Sequence, residues 1–93
     1  MENGWHLYVL RCADGSLYAG VTTDLERRLS EHNAGPRGAR YTRARRPVCM
    51  LHSWEMQDRS AATRAEVAFK KLSRKTKLAV IAGDHPFAPV EHT

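Results

Sequence analysis

The sequence predicts a small α+β domain, a three-stranded antiparallel sheet flanked by about three helices, occupying residues 1 to 83 and followed by a C-terminal tail over 84 to 93. Three observations predict it. A β-hairpin with largely alternating apolar residues opens the chain, a capped helix follows it directly, and a third strand-like stretch is followed by two further helical patterns. At 93 residues and 42% hydrophobic, the chain suits one domain, which at this size buries a little over ~60% of its unfolded surface.

The hairpin comes first. Trp5, Leu7, Val9, Leu17, Ala19 and Val21 are mostly large and apolar, whereas the even positions His6, Tyr8, Leu10, Cys12, Tyr18, Gly20 and Thr22 are mostly polar or aromatic. This alternation marks strands with one buried face. Both strands bury their odd residues together only if opposed residue numbers sum to an even number. A loop of Ala13-Asp14-Gly15 meets that condition, with Gly15 supplying the left-handed residue of a type I turn plus bulge. Leu10 then faces Tyr18, Tyr8 faces Gly20, and the two tyrosines lie diagonally on the same face, roughly 7–8 Å apart at the backbone. Gly20 leaves a side-chain-sized space opposite Tyr8.

The first helix is read from Thr23 as its cap, with Glu26 completing a capping box, to Asn33-Ala34-Gly35-Pro36 as its exit. At about 100° per residue, Leu25, Leu29 and His32 share a stripe bordered by Arg28, while Arg27, Ser30 and Glu31 point away. The two adjacent arginines are therefore not equivalent: Arg28 sits where helix meets sheet, as a boundary arginine would.

Residues 36 to 47 carry Arg37, Arg40, Arg43, Arg45 and Arg46 around Tyr41, and no carboxylate lies between Glu31 and Glu55. Periodicity is absent, so the segment reads as a loop with room for one helical turn. An uncompensated arginine run around an aromatic suits phosphate contacts with stacking. The net charge of +5 and the pI near 9.7 favour the same polyanionic partners.

Residues 48 to 55 form the third strand, with Val48, Met50, His52 and Trp54 assigned to one face and His52 read as a partly buried strand histidine. Asp58 or Ser60 caps a second long helix with Ala61, Ala65, Ala68, Phe69 and Leu72 as its buried stripe. Glu66 borders that stripe with Lys70 one turn on, by itself an ordinary helical ion pair. Ser73 caps a last helix over 74 to 82 that turns Leu78, Ile81 and Ala82 inward and ends at Gly83.

The composition also limits location. The N-terminus lacks a basic region followed by an apolar run, so no signal peptide is expected, and no apolar stretch approaches the ~20 residues of a membrane span. Cys12 and Cys49 show no metal-ligand spacing and are expected as free thiols in a reducing cytoplasm.

Taken together, Leu7-Tyr8-Val9, Tyr18-Ala19-Gly20, Arg28, His32 and Glu66 resemble the GIY-YIG nuclease family, the two triplets being degenerate forms of its two motifs. Spacings of ten, ten and four residues link Tyr8, Tyr18, Arg28 and His32. The resemblance covers about residues 5 to 83, is closest to the small stand-alone bacterial members, and implies a GIY-YIG-like fold. It implies phosphodiester hydrolysis, with Tyr8 or Tyr18 as base, Arg28 on the phosphate, His32 orienting a tyrosine or the substrate, and Glu66 holding one Mg²⁺ or Mn²⁺. It also implies a nucleic-acid partner, DNA ahead of RNA, met by Arg37, Arg40, Tyr41, Arg43, Arg45, Arg46 and Lys70. Many members carry an asparagine late in the chain; this chain has none after Asn33. Two other classes stand beside the nuclease: a module that binds nucleic acid without cutting it, and a basic adaptor for an acidic protein.

Overall fold

A computed structural model of the chain describes residues 4–87. Its elements are β1 (Trp5–Arg11), β2 (Leu17–Thr22), α1 (Leu25–Asn33), α2 (Arg40–Arg43), β3 (Cys49–Met56), α3 (Arg59–Lys70) and α4 (Arg74–Ala82). The three strands form one antiparallel sheet in the order β2-β1-β3. Three of the four helices match the expected ones, and α2 is the single turn within the arginine segment.

The hairpin register follows the parity argument. Leu10 pairs with Tyr18, and Tyr8 with Gly20. The turn closes through the Gly15 N–H on the Cys12 carbonyl (2.9 Å), with Gly15 at φ +86°. The expectation of one buried face is corrected, because β1 is the central strand and both its faces are covered. Leu7 and Val9 pack with Ala19 against Ala62, Ala65 and Phe69 of α3 and Val80 of α4. Tyr8 and Leu10 pack on the other face with Leu25 and Leu29 of α1.

In β3 a bulge falls opposite Val9 and Leu10, so Val9 pairs with His52 but Leu10 with Met50. Two residues that regular alternation puts on one face are thereby sent to opposite faces. Val48 and Met50 join the Tyr8 side, and Trp54 and Met56 join the α3 side. His52 is correspondingly exposed rather than partly buried, lying edge-on to Trp54 at 4.7 Å between ring centroids.

The caps explain where the helices start. Asp24, not Thr23, caps α1: its carboxylate accepts the Arg27 N–H at 3.0 Å, while the Thr22 hydroxyl accepts the Asp24 N–H at 3.1 Å. Aspartate is also the better N-cap type. Of the two candidates for α3, Asp58 holds the cap, accepting from the Ala61 N–H. Ser73 caps α4, and left-handed Gly83 ends it. Apolar side chains surround α4 from Leu78 to Ala82, so periodicity selects no face. The packing turns Val80 fully and Ile81 partly inward, leaving Leu78 and Ala82 exposed, against expectation. Phe87, which a boundary at Gly83 assigns to the tail, is buried against Trp54 and Phe69; the remainder of that tail, 88–93, lies outside the described residues. Among the described residues, no helix is long and apolar enough to cross a membrane, and both cysteines are free.

Candidate active site

Tyr8 is the centre of the face covered by α1. Its hydroxyl lies 2.7 Å from Nε2 of His32, and Nδ1 of His32 lies 2.8 Å from the hydroxyl of Thr42 on α2. All three side chains are at most 1% exposed. Gly20 makes this possible, since a Cβ there would stand 2.5 Å from the Tyr8 hydroxyl oxygen. Burial pushes the Tyr8 phenol up to about 12, the nearby Arg28 guanidinium opposing it. Burial, reinforced by Arg28, pushes His32 down to about 4. Both groups are therefore neutral at pH 7, and the pair is a neutral buried hydrogen bond.

Tyr18 extends the site outward. Its ring meets His32 edge-on at 5.3 Å and stacks on Tyr41 at 5.8 Å. Arg45 lies over the Tyr41 ring (3.8 Å) and is held by Asp14 of the hairpin turn at 3.1 Å. The turn therefore supports Tyr41 through one arginine. Lys70 approaches the Tyr18 ring and pairs with Glu66 at 3.0 Å. An open cavity of about 270 Å³ lies here, lined by Tyr18, Tyr41, Phe69, Lys70 and Lys77.

The arginines divide sharply by partner. Arg28, half-buried, donates to the Glu31 carboxylate (2.9 Å) and the Arg37 carbonyl (2.8 Å), whereas Arg27 is exposed and only loosely paired with Glu31 at 3.8 Å. Arg46 clamps the end of α1, donating to the carbonyls of His32 (2.6 Å) and Gly35 (2.7 Å). A cation there satisfies carbonyls that the helix leaves open and complements its dipole. Asn33 fixes the same helix end to β3, exchanging hydrogen bonds with the Val48 backbone at 2.9 and 2.7 Å. Arg37, Arg40 and Arg43 remain exposed. Of the residues proposed to meet nucleic acid, then, Arg45, Arg46 and Lys70 have partners within the protein, and Tyr41 with the other three arginines forms the outer surface.

Glu66 is half-buried, and its charge is close enough to Tyr8 to raise the phenol further. Among the described residues, no three His, Cys, Asp or Glu side chains gather as a metal site. A single carboxylate fits Mg²⁺, which keeps most of its waters and often takes one or two carboxylates plus phosphate oxygens. Lys70, paired with that carboxylate, would compete with an ion for it.

Thr42 escapes sequence reasoning. It stands in the middle of an arginine run, ten residues from His32, a spacing that belongs to no periodic element. Nothing short of the folded chain joins the two.

Comparison with known proteins adds an independent line. Residues 4–79 match the model of the GIY-YIG catalytic domain. A UPF0213 protein of Enterococcus faecalis is 58% identical over 81 residues, covering 83% of this chain and 91% of that one. One of Streptococcus sanguinis is 54% identical, covering 87% and 92%. The solution NMR structure of a UPF0213 protein from Bacillus halodurans superposes with a TM-score of 0.56 at 37% identity, covering 92% of each chain. That of an E. faecalis protein does so with a TM-score of 0.58 at 47% identity, covering 92% of this chain and 96% of the other.

Proposed function

The chain belongs to the GIY-YIG catalytic domain family, and on that premise we propose that it is a metal-assisted endonuclease hydrolysing nucleic-acid phosphodiester bonds, DNA ahead of RNA, in the cytoplasm. The observation that carries the reading is the buried Tyr8–His32 pair, with Arg28 and Glu66 close to the same hydroxyl.

The reaction needs a base for water, positive charge at the phosphate and stabilisation of the leaving oxygen. Tyr8 is the base in this reading. Water attacks phosphorus, its proton passes to the phenol oxygen, and the P–O bond to the leaving sugar oxygen breaks. A phenol held near 12 costs about 7 kcal/mol to ionise in advance at pH 7. The proton is therefore taken as the attack proceeds, with His32 within 2.7 Å to accept the phenol's own hydrogen. Arg28 exchanges its bonds to Glu31 and the Arg37 carbonyl for phosphate oxygens. Glu66 would hold the divalent ion, which when bound supplies positive charge for the leaving oxygen. Arg37, Arg40, Arg43 and Tyr41 bring the strand to the site.

The reading is tested by incubating purified protein with labelled single strands, duplexes, flaps and junctions of DNA and RNA, with and without Mn²⁺. Metal-dependent product that disappears in Glu66→Ala is the expected result, the variant also excluding a contaminating nuclease. Binding is measured in parallel. Each phosphate contact should contribute ~0.7–0.9 to the slope of log K against log salt, so replacing Arg37, Arg40 and Arg43 by Ala should flatten that slope by about 2–3. Salt-sensitive binding without product would favour a nucleic-acid-binding module, which the Glu66–Lys70 ion pair also suits. Neither cleavage nor binding would leave the adaptor.

A further inference from the structure

We propose that Thr42 is a positioning residue, which fixes the tautomer of His32 and thereby turns the Tyr8 hydroxyl into a proton acceptor.

The hydrogen-bond chain has a direction. The Thr42 hydroxyl oxygen lies 2.8 Å from Nδ1 of His32 and 2.9 Å from the carbonyl oxygen of Ala39. A hydroxyl carries one hydrogen, and a carbonyl oxygen only accepts. Both contacts are hydrogen bonds only if Thr42 donates to Ala39 and His32 donates its Nδ1–H to Thr42. The reverse choice sets the Thr42 and Ala39 oxygens 2.9 Å apart with no hydrogen between them. His32 is therefore the Nδ1–H tautomer, and its Nε2 offers a lone pair. The Tyr8 O–H points at that lone pair over 2.7 Å.

The consequence lies on the far side of the phenol. With its hydrogen committed to His32, the Tyr8 oxygen presents lone pairs away from the histidine, able to accept a proton from water. In the other tautomer Nε2–H would occupy a phenol lone pair and swing the hydroxyl hydrogen outward, making Tyr8 a donor. One buried hydroxyl thus selects between base and acid. Thr42 lies between Tyr41 and Arg43 on α2, so the turn proposed to face the polyanion also holds the end of the relay. The effect on turnover rests on the nuclease reading above, but the tautomer does not.

The test replaces Thr42 by Val, which keeps the branched shape and removes the hydroxyl, and by Ser, which retains it. The ¹⁵N resonances of the His32 ring are assigned by their loss in His32→Gln and read at pH 7. The expected wild-type signature is a protonated Nδ1 and a lone-pair Nε2. It should shift towards the opposite tautomer in Thr42→Val and return in Thr42→Ser. Turnover should fall roughly tenfold to a hundredfold in Thr42→Val at little-changed KM, as when other orienting partners are removed, and recover in Thr42→Ser. A wild-type Nε2–H tautomer would overturn the proposal. So would a Thr42→Val protein with unaltered ring signature, or a Thr42→Ser protein that behaves like Thr42→Val. If the wild type cleaves no substrate, the nuclease reading fails, and the ¹⁵N signature alone still decides the role of Thr42.

Discussion

Tyr8→Phe is expected to lower metal-dependent cleavage by about 10²–10⁴-fold, the range of a lost general base, with nucleic-acid affinity little changed. The ring remains in its slot between β1 and α1, so the exposed surface of Arg37, Arg40, Tyr41 and Arg43 keeps its shape. What disappears is the oxygen that lies 2.7 Å from His32, the proposed acceptor of the water's proton. A stability cost of about 1–3 kcal/mol accompanies the change, because Nε2 of His32 is left buried without a partner. Tyr18→Phe is the matched control. The Tyr18 hydroxyl makes no hydrogen bond to a described residue, and its ring serves as a platform between His32 and Tyr41. Its loss should cost less than about tenfold. Single-turnover rates at saturating protein separate the two variants from any change in binding, and a larger loss in Tyr18→Phe would transfer the base to Tyr18. Gly20→Ala should reproduce the Tyr8 defect by another route. A methyl 2.5 Å from the phenol oxygen must displace a rigid ring or shift β2, at a cost of about 1–3 kcal/mol.

How much of this site is legible in the sequence depends on how local each contact is. Tyr8 and Tyr18 fall on one face, with Gly20 opposite Tyr8, because a strand's period of two and a three-residue turn fix the register by themselves. Arg28 separates from Arg27 for an equally local reason, the helical period. Gly83 and Ser73 bound α4 through backbone conformation and a single cap, both written in neighbouring residues.

The losses occur where distant segments decide. The bulge opposite Val9 and Leu10 divides β3 between two cores, and its alternation alone gives only an irregular pattern. That β1 is buried on both faces follows from α3 and α4 packing on one side and α1 folding over the tyrosines on the other, neither of which the hairpin encodes. The arginine run illustrates the point for charge. Sequence shows five cations without carboxylates, whereas the fold gives Arg46 to the end of α1 and Arg45 to Asp14 and Tyr41. Composition records charge but not its partner, and carbonyl partners leave no trace in composition at all. Thr42 is the extreme case, a small polar residue whose importance lies wholly in where its hydroxyl ends up.

Acidification supplies a second test with a large expected effect, and it needs no substrate. His32 is held near 4 in the folded protein against an ordinary 6.5. The cause is burial first, with the positive charges of Arg28 and Arg46 adding to it and Glu31 opposing. The unfolded chain therefore binds a proton at this residue between pH 6.5 and 4 that the folded chain refuses. Stability rises with pH wherever the unfolded state binds more protons, so this contribution is complete above about 6.5 and is lost as pH falls towards 4. The gap corresponds to about 3 kcal/mol, a large fraction of what holds a domain of this size together. Below about 4 the imidazole protonates in both states, and the slope from this group vanishes. Protonation in the fold also removes the Nε2 lone pair that receives the Tyr8 hydroxyl, so the loss of stability and the disruption of the site have one origin. Urea unfolding of wild type and His32→Gln between pH 4.5 and 7.5 measures it. The difference between the two curves isolates the histidine. The wild-type curve should fall more steeply towards acid than that of the variant, by about 1.4 kcal/mol per unit at most. Parallel curves would mean that His32 takes up its proton in place, and the neutral relay from Tyr8 to Thr42 would have to be abandoned.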